Sequence, residues 1–433
     1  MRITELSFRN LRLFGETDQC IDFSLEKNVS ILLGDNGAGK TSLLHGITVL
    51  LSQFFEPFPS IPVKQFSDDD VHMVSSKRRA DYLCVDLKLQ VPELNTDGTF
   101  QVLEVKHYKK GNKPCPSSEF AQIRGYAQKK KDAIDNDQQV MLPILAYYGT
   151  ERGQIKAPES RKGFNDVFPR WAAYEKALEP ATNFKRFFEW FERNESAELR
   201  EQKQRRDYDY TLPVLNTVRR ALSKMDENLR NPRVEYSPLR FVMDDYSKDK
   251  NHPTEIRIER MSDGYRIMIA LIADIAARMA EANPSLEESG FEDALNTPGI
   301  VLIDEIDLHL HPMWQRKVIG QLTTIFPKVQ FIVSTHSPNV VLGDMENSQV
   351  IKLDQGEVDD SVDLSQYANY DVSLLLLSQL FGLHNVRSNQ FMVLSDEAEA
   401  LLNKGHLNED ELARLCELSK MLGKYQYVND SQR

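Results

Sequence analysis

Cysteine is scarce in this chain: four residues in 433, Cys20, Cys84, Cys115 and Cys416. They lie far apart, which excludes a CxxC metal or redox pair and makes reduced thiols the default. Uninterrupted apolar runs of about 18 residues are missing too, so no membrane-spanning helix is predicted. The opening residues, MRITELSFRNLRLF, alternate like a strand and lack the apolar core of a signal peptide. The expectation is a cytoplasmic protein with no membrane partner. An excess of positive charge is also absent. The net charge of −12 excludes a surface that adheres everywhere to nucleic acid, while leaving room for a local basic groove. The length suffices for one large core or about two to three ordinary ones.

What the chain does contain is most concentrated at Ile31 to Thr41, ILLGDNGAGKT. Gly34, Gly39, Lys40 and Thr41 fall on the pattern G-x-x-x-x-G-K-[ST], with Asp35, Asn36, Gly37 and Ala38 inside the loop and Ser42 just after it. Glycines at these positions let backbone N–H groups wrap phosphate oxygens, and the following helix aims its positive end at them. Lys40 would reach the β- and γ-phosphates, and the Thr41 hydroxyl would ligate Mg²⁺. A plain glycine turn is the bland alternative. The flanks argue against it: Val29 to Leu33 is an apolar run, and Leu43, Leu44, Ile47, Leu50, Leu51 and Phe54 follow at helical spacing.

The rest of the chain supplies companions in a fixed order. Strands are predicted at Arg2 to Phe8, Gln19 to Phe23, Tyr82 to Val91 and Phe100 to Tyr108, forming a strand-rich lobe, and a buried parallel strand at Leu142 to Tyr148. The lysine-rich stretches Lys106 to Lys113 and Lys129 to Lys131 read as solvated loops or helix faces. Helical periodicity takes over from about Trp171 to Asn231, with a second helix at Leu212 to Leu229. Its basic residues (Arg200, Arg205, Arg206, Arg219, Arg220) interleave with acids (Glu195, Glu198, Glu201, Asp207, Asp209), the pattern of a solvated face more than of a nucleic-acid patch. Strands are predicted again at Arg233 to Val242 and Thr254 to Glu259. MSDGYR, Met261 to Arg266, then opens a helix to about Ala282, with Ser262 and Asp263 where N-caps belong.

In GIVLIDEIDLHLHP, Gly299 to Pro312, four apolar residues carry Asp304 and Glu305 to the carboxyl end of a strand, where ligands bind in open α/β sheets. Beside a phosphate loop, Asp304 would hold Mg²⁺ and Glu305 would polarise the attacking water. His309 and His311 have a known metal-ligand spacing, yet the stretch is explained without metal and no other His or Cys lies nearby. A helix is predicted at Met313 to Phe326. The strand VQFIVS, Val329 to Ser334, then leads to Thr335, His336, Ser337 and Pro338. There His336 is either a γ-phosphate sensor or a turn histidine before Ser-Pro. A closing hairpin spans Val350 to Val358, and from Asp371 the tail reads as amphipathic helices.

Together GDNGAGKT, MSDGYR, VLIDEID, DLHLHP and STHSP resemble, in order, the Walker A, signature, Walker B, D-loop and H-loop motifs of ABC-type ATPase heads of the SMC, RecF and overcoming-lysogenization-defect class. With LAYYGT at Leu145 to Thr150, the chain is most similar within that class to bacterial stand-alone ATPases that include the ATPase subunits of Septu anti-phage systems and related retron systems. The likeness covers residues 1–55 and 142–360 well and the lysine-rich and tail segments weakly. The implied fold class is α/β, a P-loop ATPase head with a mixed sheet. It would comprise an N-terminal ATPase lobe (1–150), a helical insertion (151–232), a C-terminal ATPase lobe (233–360) and a helical tail (361–433).

The resemblance also implies chemistry. ATP and Mg²⁺ would bind at Gly34 to Ser42, with Thr41 and Asp304 on the metal, Glu305 as general base and His336 as the switch. Ser262 and Gly264 would contact the γ-phosphate held by the opposite subunit, making a homodimer around sandwiched ATP that is open to higher assembly. Arg12, in RNLRLF, matches the arginine of the class's N-F-R motif and would touch phosphate or the signature helix. Asp263 stands where the family has its first signature glycine, and Tyr148 to Thr150 occupy the place of the Q-loop. No effector motif follows His336, so a separately encoded effector, a nuclease, is the expected partner. Direct clamping of nucleic acid by a RecF-like DNA-repair ATPase and a non-hydrolysing nucleotide sensor are the alternatives.

Overall fold

Strands built from apolar runs gather in the parallel part of one sheet of this protein, and the long alternating strands Tyr82–Leu94 and Phe100–Lys110 lie in another. The computed structural model describes residues 1–433 except 96–97, 154–168, 181–183, 237–238, 285–292, 355, 384–388, 405–407 and 431–433. Two compact units result, residues 1–368 and 369–433.

In the first unit, β1 (Arg2–Arg9), β2 (Gln19–Asp22), β3 (Val29–Gly34), β4 (Met73–Ser75), β5 (Arg78–Arg79), β6 (Tyr82–Leu94) and β7 (Phe100–Lys110) come early in the chain. Four of them form an antiparallel sheet in the order β2-β1-β6-β7. β6 buries every second residue, Leu83, Val85, Leu87, Leu89 and Val91, as expected for a sheet with one covered face. The lysines of Lys106 to Lys113 belong largely to β7 rather than to a loop, and Lys106 and Lys109 there are paired with Asp86 and Asp68.

A six-stranded mixed sheet carries the motifs. Its order is β15-β14-β3-β13-β12-β8, where β8 is Ile144–Tyr148, β12 Gly299–Ile303, β13 Val329–Thr335, β14 Ser348–Asp354 and β15 Glu357–Val362. All neighbours are parallel except the β14–β15 hairpin. β8, β12 and β13 are buried along their whole length, as parallel strands covered on both faces must be. Helix α1 (Lys40–Leu51) follows β3, and α2 (Ala121–Asp135) carries Lys129 to Lys131.

The predicted insertion contains α3 (Phe184–Arg205) and α4 (Pro213–Met225). They pack near a three-stranded antiparallel sheet of β9 (Leu229–Tyr236), β10 (Leu239–Asp245) and β11 (Thr254–Arg257). Phe187 and Phe191 meet Phe241 of β10 with ring centroids 5.7 and 5.2 Å apart, so the aromatic run of α3 is a core against that sheet. Here two expectations need correction. Arg233 to Val242 is not one strand but parts of β9 and β10, which pair antiparallel with Leu239 opposite Tyr236. The helix expected over Met313 to Phe326 is broken into α6 (Pro312–Gln315) and α7 (Val318–Ile325), after α5 (Asp263–Ala282). α8 (Pro338–Val341) caps the end of β13.

The second unit contains α9 (Val372–Leu377), α10 (Asn389–Leu402) and α11 (Glu409–Asp430). Arg414 pairs with both Glu397 and Glu417, at 2.8 and 2.7 Å, tying α11 to α10. Among the described residues no helix is long and apolar enough to cross a membrane.

Candidate active site

The apolar run of β3 is wholly buried and delivers Gly34 to the carboxyl edge of the mixed sheet. A Cβ at Gly34 would lie 2.3 Å from the Leu353 carbonyl oxygen, and one at Gly39 would lie 2.5 Å from the Phe14 ring. Gly39 also sits at φ +105°, a left-handed conformation that favours glycine. These two positions fix the loop that opens α1. Lys40 is buried at 6% exposure and its Nζ donates to the carbonyls of Gly34 and Asp35, at 2.7 and 2.9 Å. Burial lowers its pKa from the ordinary lysine value, against the opposing pull of Asp304, Glu305, Asp35 and Asp307.

Strand order brings the acidic pair to this loop. β13 lies between β3 and β12, so Asp304 emerges two strands away from Gly34. The Thr41 hydroxyl donates to Asp304 Oδ2 at 2.7 Å. Ser334, from the end of β13, donates to Asp304 Oδ1 and accepts from the Glu305 N–H at 2.7 Å. Asp304 is almost fully buried, and its backbone N–H donates to Tyr148 O at the end of β8. Glu305 itself is half-buried and adopts φ +48°, a conformation that non-glycine residues take at a cost and that clusters at functional sites. His336 leaves the sheet directly after β13, the strand that separates β3 from β12.

The buried side chain of Arg152 donates to the backbone carbonyls of Gly149, Asp304 and Glu305. Beyond Glu305, Thr335 donates to Asp307, and Ser337 donates to Gln315 Oε1 at 2.8 Å while the Gln315 amide reaches Leu310 O at 3.0 Å. These bonds pin the D-loop segment to the segment after β13.

The signature corner is built differently. Ser262 and Asp263 are exposed at the start of α5, and Ser262 makes no side-chain cap bond to the helix. Asp263 pairs with Arg266 one turn on, at 2.7 Å. A Cβ at Gly264 would fall 2.6 Å from His309 O, so this helix start rests on the D-loop of its own chain. Tyr148, in the expected Q-loop place, is instead a buried bridge: its hydroxyl donates to Asp274 of α5 at 2.8 Å, and Arg278 Nε donates to the same oxygen.

Arg12, at φ +52°, donates through Nε to Asp70 at 2.9 Å. Asp70 is buried, which alone would raise its pKa. The bonds from His45 of α1 and from Ser67 outweigh burial and hold the carboxyl well below the usual range. Of the histidine pair, His311 accepts from Met313 N–H as the N-cap of α6, and His309 is exposed. Among the described residues the His, Cys and carboxylate atoms close enough to share a metal are those of Glu5, Cys20 and Asp22, on another sheet. In the insertion, Arg219 is engaged by Glu198, Arg220 by Asp293 and Arg205 by Glu201.

Sequence reasoning missed Arg152, Ser334 and Asp70. Ser334 stood inside a recognised motif without a role, and Arg152 stood two residues past LAYYGT. Asp70 carried no signal beyond an acidic triplet.

Comparison with known proteins is consistent with this geometry. An AAA-domain family model matches residues 5–230, and a second AAA-domain model matches residues 154–342. A "Retron Vc95 probable ATPase" of Vibrio cholerae serotype O1 biovar El Tor is 29% identical over 360 residues, covering 73% of this chain and 67% of the relative. A "Retron Ec83 probable ATPase" of Escherichia coli is 25% identical, covering 78% and 69%. The "Septu protein PtuA" of Bacillus mycoides (strain KBAB4) is 25% identical over 95% of this chain but only 49% of its own length. Among solved structures, the SMC head domain from Thermotoga maritima aligns at 15% identity with a TM-score of 0.40, covering 84% of this chain and 100% of that one.

Proposed function

The chain belongs to the AAA-domain family of ATPases, and from that premise we propose that it is an ATP-driven switch that closes as a homodimer around nucleotide and controls a separately encoded effector, a nuclease, in anti-phage defence. The observation that carries the reading is the hydrogen bond between Thr41 and Asp304, which joins the phosphate loop to the acidic strand beside Lys40 and Glu305.

Thr41 and Asp304 present two hard oxygen donors 2.7 Å apart, a set that suits Mg²⁺. When bound, Mg²⁺ would neutralise charge on the phosphate oxygens. Lys40 exchanges its two loop carbonyls for phosphate oxygens, and the N–H groups at the start of α1 complete the cradle. Glu305 takes a proton from the attacking water, its backbone held by Ser334 and Arg152. His336, at the end of the strand between them, senses the γ-phosphate.

Ser262 is exposed on the other corner and, with the Gly264 backbone beside it, serves the nucleotide of a second subunit, with Arg12 supporting the phosphate loop from its own side. The Asp263 charge is answered by Arg266, which supports hydrolysis rather than a non-hydrolysing scaffold. The pairing of Arg205, Arg219 and Arg220 with acids supports an effector partner over direct clamping of nucleic acid.

Native mass spectrometry of the Glu305→Gln protein, purified from its own operon with and without ATP and Mg²⁺, tests this. A nucleotide-dependent dimer with a bound nuclease is expected. A monomer under both conditions would overturn the switch.

A further inference from the structure

One guanidinium touches both residues of the acidic pair, and it does so through their backbones. Arg152 is only 3% exposed and lies in the 3-10 turn Thr150–Gly153 that follows β8. One terminal nitrogen donates to Gly149 O at 2.9 Å and to Asp304 O, and the other donates to Glu305 O. Burying a guanidinium is costly, and burial indeed lowers the Arg152 pKa while Asp304, Asp307 and Glu305 oppose the shift. A planar fork with fixed donor directions can bridge two successive carbonyls, which a lysine ammonium cannot do with the same rigidity.

The carbonyls it holds flank an unusual piece of backbone. Glu305 is at φ +48°, and its N–H is already fixed by Ser334. A left-handed residue without glycine's freedom persists only when the surroundings over-determine it. Arg152 and Ser334 are the side chains among those surroundings, gripping the same residue from its carbonyl and its amide sides, while Leu308 N–H also donates to the Glu305 carbonyl at 2.8 Å.

We propose that Arg152 is a positioning residue for hydrolysis: it clamps the Asp304 and Glu305 carbonyls and so sets the Glu305 carboxylate relative to the water it activates. This rests on the ATPase reading above. Arg152 contributes to turnover and not to nucleotide affinity, because it acts on the general base and not on the phosphate loop. It also makes the turn after β8 a direct mechanical neighbour of the catalytic base.

The test compares full-length wild type, Arg152→Ala, Arg152→Lys and Glu305→Gln for steady-state ATP hydrolysis, ATP affinity and thermal melting. A displaced general base typically costs about 10²-fold in rate, so kcat should fall by that order in Arg152→Ala with ATP affinity changed by less than about threefold. Arg152→Lys, which keeps the charge and most of the volume, should recover only part of the loss. In a Glu305→Gln background, Arg152→Ala should cost less than about threefold more, since residues acting as one unit are not additive.

Wild-type kcat in Arg152→Ala, full recovery in Arg152→Lys, a loss confined to ATP affinity, or additive losses in the double variant would each overturn the clamp. If Arg152→Ala does not fold, Arg152→Lys decides alone: a fall in kcat at unchanged affinity supports the clamp, and wild-type kcat overturns it. Absence of hydrolysis in the wild type would instead strike the ATPase reading, which keeps the two failures apart.

Discussion

The phosphate-loop corner and the signature corner differ in how much of their bonding is finished within one chain. At the first, Lys40, Thr41, Asp304, Ser334 and Arg152 all have partners a few ångströms away, on four different strands or the turns after them. At the second, Ser262 is exposed with no side-chain bond to its own helix, and Asp263 is answered by Arg266 one turn away. A finished corner is rigid before anything binds. An unfinished one leaves its donors open to something outside the chain, and under the proposed switch that object is a second copy of the finished corner.

The largest effect should come from removing the finished corner. Lys40→Ala is expected to lower ATP affinity by on the order of 10²- to 10³-fold, because a buried cation is lost from a charged pairing. Calorimetric titration showing unchanged affinity would remove the phosphate-loop assignment. Glu305→Gln should cut turnover by about 10²- to 10⁴-fold while leaving affinity intact, as loss of a general base does; normal turnover would move the base elsewhere.

The signature corner can be broken separately. Ser262→Ala should reduce turnover by roughly 10- to 100-fold, the worth of a hydrogen bond to a charged group, with ATP affinity of the isolated subunit unchanged. Mixing this variant with Lys40→Ala should restore activity, since one composite site in the mixed dimer then has an intact half from each chain. If the mixture is as inactive as its components, the two corners do not complement each other.

The smallest effect lies in the insertion, where a partly answered charge is buried. Glu195 has its pKa raised to about 7, first by burial, against the opposing bond from Val234 N–H and the charge of Arg219. The folded state therefore holds this proton more tightly than the unfolded chain. Its contribution to stability is present below the ordinary glutamate pKa and is lost as pH rises through about 7. Glu195→Gln should raise the melting temperature at pH 8 by a few degrees, the shift that roughly 1–3 kcal/mol produces, with little change at pH 4. An equal shift at both pH values would assign the effect to packing.

Much of the finished corner was legible because its residues lie in contiguous motifs. The glycines, Lys40 and Thr41 are spaced by the loop they form, and Asp304 and Glu305 follow an apolar run that could only be a buried strand. Arg152 and Ser334 were not legible as site residues. Their roles arise from β8 and β13 flanking β12, an order that local periodicity does not encode. The break between β9 and β10 was hidden because residues on both sides suit a strand. The interruption of the Met313 to Phe326 helix was hidden because its apolar spacing continues across Arg316–Lys317.

The place of β3 in its sheet governs when the protein can first work during its own synthesis. The strand's two neighbours are β13 and β14, roughly three hundred residues downstream. At about 5–20 residues per second, a ribosome delivers them roughly 15 to 60 s after β3 has emerged. Until then the nucleotide loop has no sheet to stand on, whereas the β2-β1-β6-β7 sheet is complete within the first 110 residues and can fold early. A nascent or prematurely terminated chain thus lacks the strands on both sides of this loop, and the motif-bearing sheet can assemble only once nearly all of the first unit has been made.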